Sequence, residues 1–364
     1  MKITYILSSV LLITLIQSAM AQDSAAPEQI LKHQGHYYRL SESGQWQEAM
    51  THAQQAYTLG QSVYSADSPE HAKLAEQLGH ALVQLSDVNG ITPLNEALGI
   101  YTQRFGDDSE KLITVLMDIG SAQTLMGKFE QAEDDFKRAF SLAKDVYGRD
   151  STMLAKLNMQ AGSAFAEQNQ FQAASAHFTD AYDIYEGMYG PFSSKTGEAA
   201  YQLAEIDRLT GNARGMTAYL KKTVATFEDP TTPANEFERT VHRKLIEAYH
   251  AIDKPKRATQ HVIALASAAP STQDGEPELV VRPQLAMDQS DRDSLPEGYV
   301  RVSYDIDSEG FVRNAKLLDY QGGRKLVDSA MKALDGYRYI PASQNGQPVG
   351  TNGLETMITF KNDG

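Results

Sequence analysis

A short motif recurs at a nearly constant interval, and that period constrains the fold more than any other feature of the sequence. It reads Tyr64-Ser65-Ala66-Asp67-Ser68, Phe105-Gly106-Asp107-Asp108-Ser109, Tyr147-Gly148-Arg149-Asp150-Ser151 and Tyr189-Gly190-Pro191-Phe192-Ser193, with the aromatic returning after 41, 42 and 42 residues. Fourteen positions after each second motif residue stands a small one, Gly79, Gly120, Gly162 or Ala204. Further along, Ala132, Phe136 and Ala139 in one unit match Ala174, Phe178 and Ala181 in the next, at the i, i+4, i+7 spacing of a helix face. Turns at Met126-Gly127-Lys128 and Gln168-Asn169-Gln170 precede Phe129 and Phe171, so each unit predicts helix, turn, helix.

These residues resemble the tetratricopeptide family, in the longer variety of about 42 residues found in kinesin light chains. The resemblance covers roughly 27–268 and is read as six repeats, the outer ones carried by Trp46, Ala49, Ala53 and Ala56 and by Leu245, Ala248, Pro255 and Ala258. It implies a mainly α solenoid in which small residues let paired helices approach and an aromatic fills the gap. Twelve helices spaced by about 8–10 Å would form a curved rod of roughly 100 Å with a long groove. The first helix of each unit would face that groove, nominating Glu76, His80, Met117, Ser121, Met159, Ser163, Tyr201 and Glu205 for protein or peptide binding.

Helical patterning stops near Ala268, and the breaker-rich run Ala269 to Pro277 predicts a flexible hinge. Leu279-Val280-Val281 could add a short strand with no evident partner. From Gly298 the period becomes two, with Val300, Val302, Tyr304 and Ile306 on one face. A tight turn follows at Asp307-Ser308-Glu309-Gly310, then a strand from Phe311 to Leu318. A helix carries Leu326, Val327, Ala330, Met331 and Leu334, and a last strand runs from Leu354 to Phe360. This ββαβ order, with Tyr337-Arg338-Tyr339-x-Pro341-Ala342 and Asn345-Gly346-x-Pro348-Val349, is similar to the C-terminal domain of TonB energy transducers over about 65 residues. The resemblance implies capture of an extended segment of an outer-membrane receptor at a sheet edge. Leu354, Thr356, Ile358 and Phe360 lie on the expected edge strand, although all four suit a strand core, and Arg338 reads equally as a tether to a helix or loop.

The N-terminus predicts export. Lys2, an apolar run from Ile6 to Ile16 and Ala19-Met20-Ala21 form the three regions of a cleavable secretory signal over residues 1–21. The apolar core is 11 residues, well short of the roughly 20 that span a bilayer. The expected organisation is therefore a signal peptide at 1–21, a solenoid at 22–268, a linker at 269–290 and a TonB-like domain at 291–364, located in a Gram-negative-type periplasm.

Charge and motif content set the other function classes aside. The formal charge of −14 opposes phosphate neutralisation, so nucleic acid is not an expected partner. The absence of cysteine removes disulfides, thiolate metal sites and a cysteine nucleophile. There is no His-Glu-x-x-His; Glu247 and His250 lack further ligands nearby, and Gly190 to Thr196 lacks the phosphate-loop glycine before its lysine. No catalytic residue, metal or cofactor is expected, and the partners are proteins or peptides of the cell envelope. The rival reading is a membrane-anchored component of a TonB-family energy transducer, which requires that residues 1–21 be retained.

Overall fold

A computed structural model describes residues 26–268, 276–283 and 298–360, and the chain divides into two compact units that meet in sequence at Ile184 and Tyr185. The proposed signal peptide lies outside the described residues, as do 269–275 and 284–297 of the expected linker and domain start.

In the first unit, α1 (26–42) pairs with α2 (Trp46–Val63), α3 (Pro69–Gln84) with α4 (Ile91–Phe105), and α5 (Lys111–Leu125) with α6 (Phe129–Tyr147). The helix α7 (Thr152–Glu167) is followed by α8 (Phe171–Tyr189), whose last turn enters the second unit. There, α9 (Ser194–Leu209) precedes α10 (Ala213–Val224), and α11 (Glu236–Ala251) precedes α12 (Thr259–Ser267).

The recurring motif is punctuation between helices. Gly106, Gly148 and Gly190 follow α4, α6 and α8 with φ of +85°, +88° and +80°, a region in which a side chain would be strained. The motif serines Ser68, Ser151 and Ser193 then cap α3, α7 and α9 by accepting the backbone N–H of His71, Leu154 and Thr196.

A second, longer-running period sits inside the hairpins. Gly44, Ser86, Gly127, Asn169, Gly211 and Asp253 all have positive φ, at intervals of 42, 41, 42, 42 and 42 residues. After each of them the next backbone N–H returns to a carbonyl five residues back, as in Lys128 to Gln123 and Gln170 to Phe165, both at 2.9 Å. This is the Schellman ending of a helix. It extends the repeat through the outer hairpins, where the aromatic motif is absent.

Packing explains the small residues. A Cβ built on Gly120 would stand 2.5 Å from the Phe136 ring, and one on Gly162 would stand 2.7 Å from Phe178. Phe136 and Phe178 are buried and fill the gap between their helices, whereas the motif aromatics Phe105, Tyr147 and Tyr189 are each 44% exposed.

The second unit closes with a three-stranded antiparallel sheet in the order β3-β2-β7, formed by β2 (Gly298–Ile306), β3 (Val312–Gln321) and β7 (Thr351–Phe360). The helix α13 (Arg324–Asp335) lays Leu326, Ala330 and Leu334 on Val300, Val302, Ile358 and Phe360. The tight turn is as expected: Gly310 has φ +84°, and the Asp307 carboxylate accepts the N–H groups of Glu309 and Phe311.

The segment between α13 and β7 differs from the expected ββαβ order. It contains β4 (Arg338–Ile340) and the hairpin of β5 (Ala342–Gln344) and β6 (Gln347–Val349). β4 pairs with β1 (Glu278–Val281), which supplies the partner that Leu279-Val280-Val281 lacked in the sequence. This pair has two apolar faces to bury. Leu279 and Tyr339 join the sheet core, while Val280, Val281 and Ile340 join the core of α11 and α12. Described residues of the expected linker are thus built into the fold.

Arg338 ties the same elements together. It is 0% exposed, donates to Thr259 Oγ1 at 2.8 Å and to the Pro255 carbonyl at 3.5 Å, and stacks with its Cζ 3.5 Å from the Phe311 ring centroid. Burial pushes its pKa down to about 10, against the opposing pull of Asp307 and Glu309.

Candidate protein-binding surfaces

The first helices of the hairpins in the first unit share one face. α1, α3, α5 and α7 line a cavity of about 250 Å³ there, and a neighbouring one of about 170 Å³ is lined by Ser121, Gln160 and Ser163 among others. Polar side chains cross the face from helix to helix. Gln34 Nε2 donates to Gln77 Oε1 at 3.2 Å, Gln77 Nε2 to Tyr38 OH at 2.7 Å, and Gln160 Nε2 to Asp118 Oδ1 at 3.4 Å.

Two of the residues nominated from sequence are central. Glu76 accepts from Thr114 Oγ1 at 2.7 Å and from Tyr101 OH at 2.9 Å. Burial holds its carboxyl above the ordinary range although both bonds favour ionisation. His80 Nδ1 lies 2.8 Å from Asp118 Oδ2. Burial lowers the His80 pKa, but the charge and hydrogen bond of Asp118, with Glu76 beyond, outweigh it and the net direction is up.

That direction has a measurable consequence. Because the folded-state pKa is raised above 6.5, the stabilisation from protonated His80 is complete below that pH and is lost as pH rises through the folded value. In an NMR titration His80 is expected to have its midpoint above 6.5, and in Asp118→Asn, where burial alone remains dominant, below it. A midpoint unmoved by the substitution would show that Asp118 does not hold the imidazolium.

The other nominated residues sit differently. Met117 is 1% exposed, so its thioether belongs to the helix packing and not to a surface. Ser121 is buried and donates to the Met117 carbonyl, Met159 is half-buried, and Ser163 lines the smaller cavity. In the second unit, Tyr201 packs against Phe237 at 5.1 Å, and Glu205 is held by Arg208 at 3.0 Å and Lys244 at 2.9 Å. The reason for Met117 is helical phase, since one residue turns the side chain by about 100°. Besides Glu76, the cavity is faced by the next position, Gln77, Asp118 and Gln160, polar in these three units and spaced by 41 and 42 residues. That recurrence was the available signal.

The second surface is β7, which ends the sheet with no further strand beside it among the described residues. Ile358 and Phe360 are buried in the sheet core, Leu354 and Thr356 are half-buried, and Met357 on the opposite face is 60% exposed. What β7 can offer is therefore main chain. Its pairing with β2 is unbroken from Gly298↔Phe360 to Tyr304↔Leu354, so the strand is regular along the outer edge. β3, at the other end, has two register breaks and Asn314 at φ +52°, features that blunt an edge against pairing. Among the described residues no cluster of His, Asp and Glu could hold a metal ion.

Family comparisons agree with this architecture. Residues 115–187 match the tetratricopeptide repeat model, and residues 292–361 match the model of the Gram-negative bacterial TonB protein C-terminal domain. The chain therefore carries tetratricopeptide-type repeats and a TonB C-terminal-type domain. Solved structures similar to it include BtubC (BKLC) from P. vanneervenii, at 13% identity and TM-score 0.42 over 74% of this chain and 98% of that one. A putative kinesin light chain of Podosopora anserina with nearly identical TPR-like repeats aligns at 13% identity and TM-score 0.47 over 57% and 99%. The quorum sensor NprR from B. thuringiensis aligns at 13% and 0.39 over 71% and 86%. No curated protein matches the chain.

Proposed function

We propose that the protein is a non-enzymatic scaffold of the periplasm, exported by residues 1–21, that docks one envelope protein on the repeat face and a second, extended segment along β7. The observation that supports it most directly is the coexistence of two unlike surfaces, a polar cavity on the repeats and a regular, unpaired strand edge on a TonB-type sheet. Main-chain addition at β7 fits an outer-membrane receptor segment as its partner. The TonB C-terminal match also favours a second reading, a membrane-anchored energy-transducer component. No helix among the described residues is long and apolar enough to cross a membrane, so that reading depends on whether residues 1–21 are retained. A mature N-terminus at Gln22 in the soluble periplasmic fraction would remove it.

The chain has no cysteine, so a single introduced thiol carries a photo-crosslinker to one place. With the probe at Met357→Cys and, separately, at Lys73→Cys, illumination in envelope extract is expected to trap two different proteins. The same adducts from both positions, or none, would refute the two-surface scaffold.

A further inference from the structure

We propose that the cavity between α1, α3, α5 and α7 receives the side chain of an arginine carried on an extended segment of a partner protein. This rests on the reading of the repeat face as a docking surface and narrows it to one chemistry. Glu76 and Asp118 both line the cavity. Asp118 is only 3% exposed; its Oδ2 is taken by His80, but its Oδ1 meets Gln160 Nε2 at 3.4 Å, too long for a strong charge-assisted bond. A buried carboxylate oxygen thus keeps accepting capacity in a space with room for a guest.

Two cationic side chains also line the cavity, but each is engaged elsewhere: His80 on Asp118 Oδ2, and the Lys73 ammonium over the Tyr38 ring, 5.6 Å from its centroid. Glu76, held toward its neutral form by burial and by Asp118, would regain full ionisation beside a guanidinium. The Tyr38 ring already carries one cation on its face, and it flanks the carboxylates. Arginine suits this better than lysine, because a planar fork of donors can serve acceptors on two neighbouring helices while stacking on a tyrosine. The approach of a basic segment is also favoured at long range, since residues 1–290 carry 36 acidic and 24 basic side chains.

The test begins with a random dodecapeptide library displayed on phage and panned on the full chain. Enriched peptides are expected to share an arginine, and replacing it with citrulline, its neutral isostere, should weaken binding by about tenfold or more. Glu76→Gln and Asp118→Asn should each cause a comparable loss. If Asp118→Asn does not fold, Glu76→Gln and the citrulline comparison on the unaltered chain decide. Peptides that lose binding in the cavity variants but lack arginine, or tolerate citrulline, overturn the arginine assignment and leave the docking surface standing. A pool in which no peptide responds to any cavity substitution, or no binders at all, overturns both.

Discussion

Arg338→Ala is expected to destabilise the unit beginning at Tyr185 by about 3 kcal/mol, the scale of emptying a large buried site while breaking its hydrogen bonds. Arg338 is the largest fully buried side chain described, and its loss removes the stack on Phe311 and leaves Thr259 Oγ1 and the Pro255 carbonyl without their donor. One effect opposes this. Keeping a guanidinium out of water is costly, as its lowered pKa of about 10 reflects, and its Nε has no acceptor. Arg338→Met separates the two, since it keeps much of the bulk and discards the charge. It is expected to lose clearly less than the alanine variant. The readout is amide exchange in β4 and α12, because the only tryptophan, Trp46, belongs to the other unit. A fully stable alanine variant would mean that Arg338 does not tie the sheet to the last hairpin.

The second large effect is expected at Gly120. Gly120→Val places a branched side chain where even a Cβ would lie 2.5, 2.8 and 2.9 Å from atoms of the Phe136 ring. Phe136 is 0% exposed, stacks on Phe140 and meets Phe165 edge-on, so it cannot swing aside. A loss of about 3 kcal/mol or more is expected, at the upper end for overpacked cores. Gly99→Ala is the matched control. It lies within α4 with nothing within 4 Å of its added Cβ, so helix propensity should make it neutral or stabilising by up to about 1 kcal/mol. Urea unfolding followed by Trp46 fluorescence reports both. Equal effects at the two glycines would show that close helix approach is not what Gly120 provides.

Much of the fold was legible because local chemistry and tertiary packing coincide. The small residue of the first helix and the aromatic of the second form one contact, Gly120 with Phe136 and Gly162 with Phe178, so its repetition in sequence is its repetition in space. The outer hairpins were faint in aromatic pattern, yet Gly44 and Asp253 hold the same left-handed turn as Gly127. That regularity spans Gly, Ser, Asn and Asp, and a reading that looks for one residue type passes over it. The strand alternation of Val300, Val302, Tyr304 and Ile306 is visible because one face is buried.

The site was less legible. A helix face known to within one residue is known only to within about 100° of rotation, which separates buried Met117 from cavity-facing Asp118. Tyr38, Gln77 and Gln160 come from different hairpins, and no local pattern links them. β1 was invisible as a paired element because its partner lies some 60 residues downstream, across a helix and two other strands.

The pairing of β1 with β4 bears on how this sheet could be moved to another carrier. By sequence the cassette would start at Asp291, or at the end of the helices near Ala268. Either cut divides what the fold holds in common: Val280, Val281 and Ile340 share a core with Val262 and Leu265, and Glu278 is gripped by Arg243 of α11. A graft begun at Asp291 would carry β4 with a bare edge and an arginine with no hydroxyl to meet. The last helical hairpin, α11 and α12, therefore travels with the sheet as part of it.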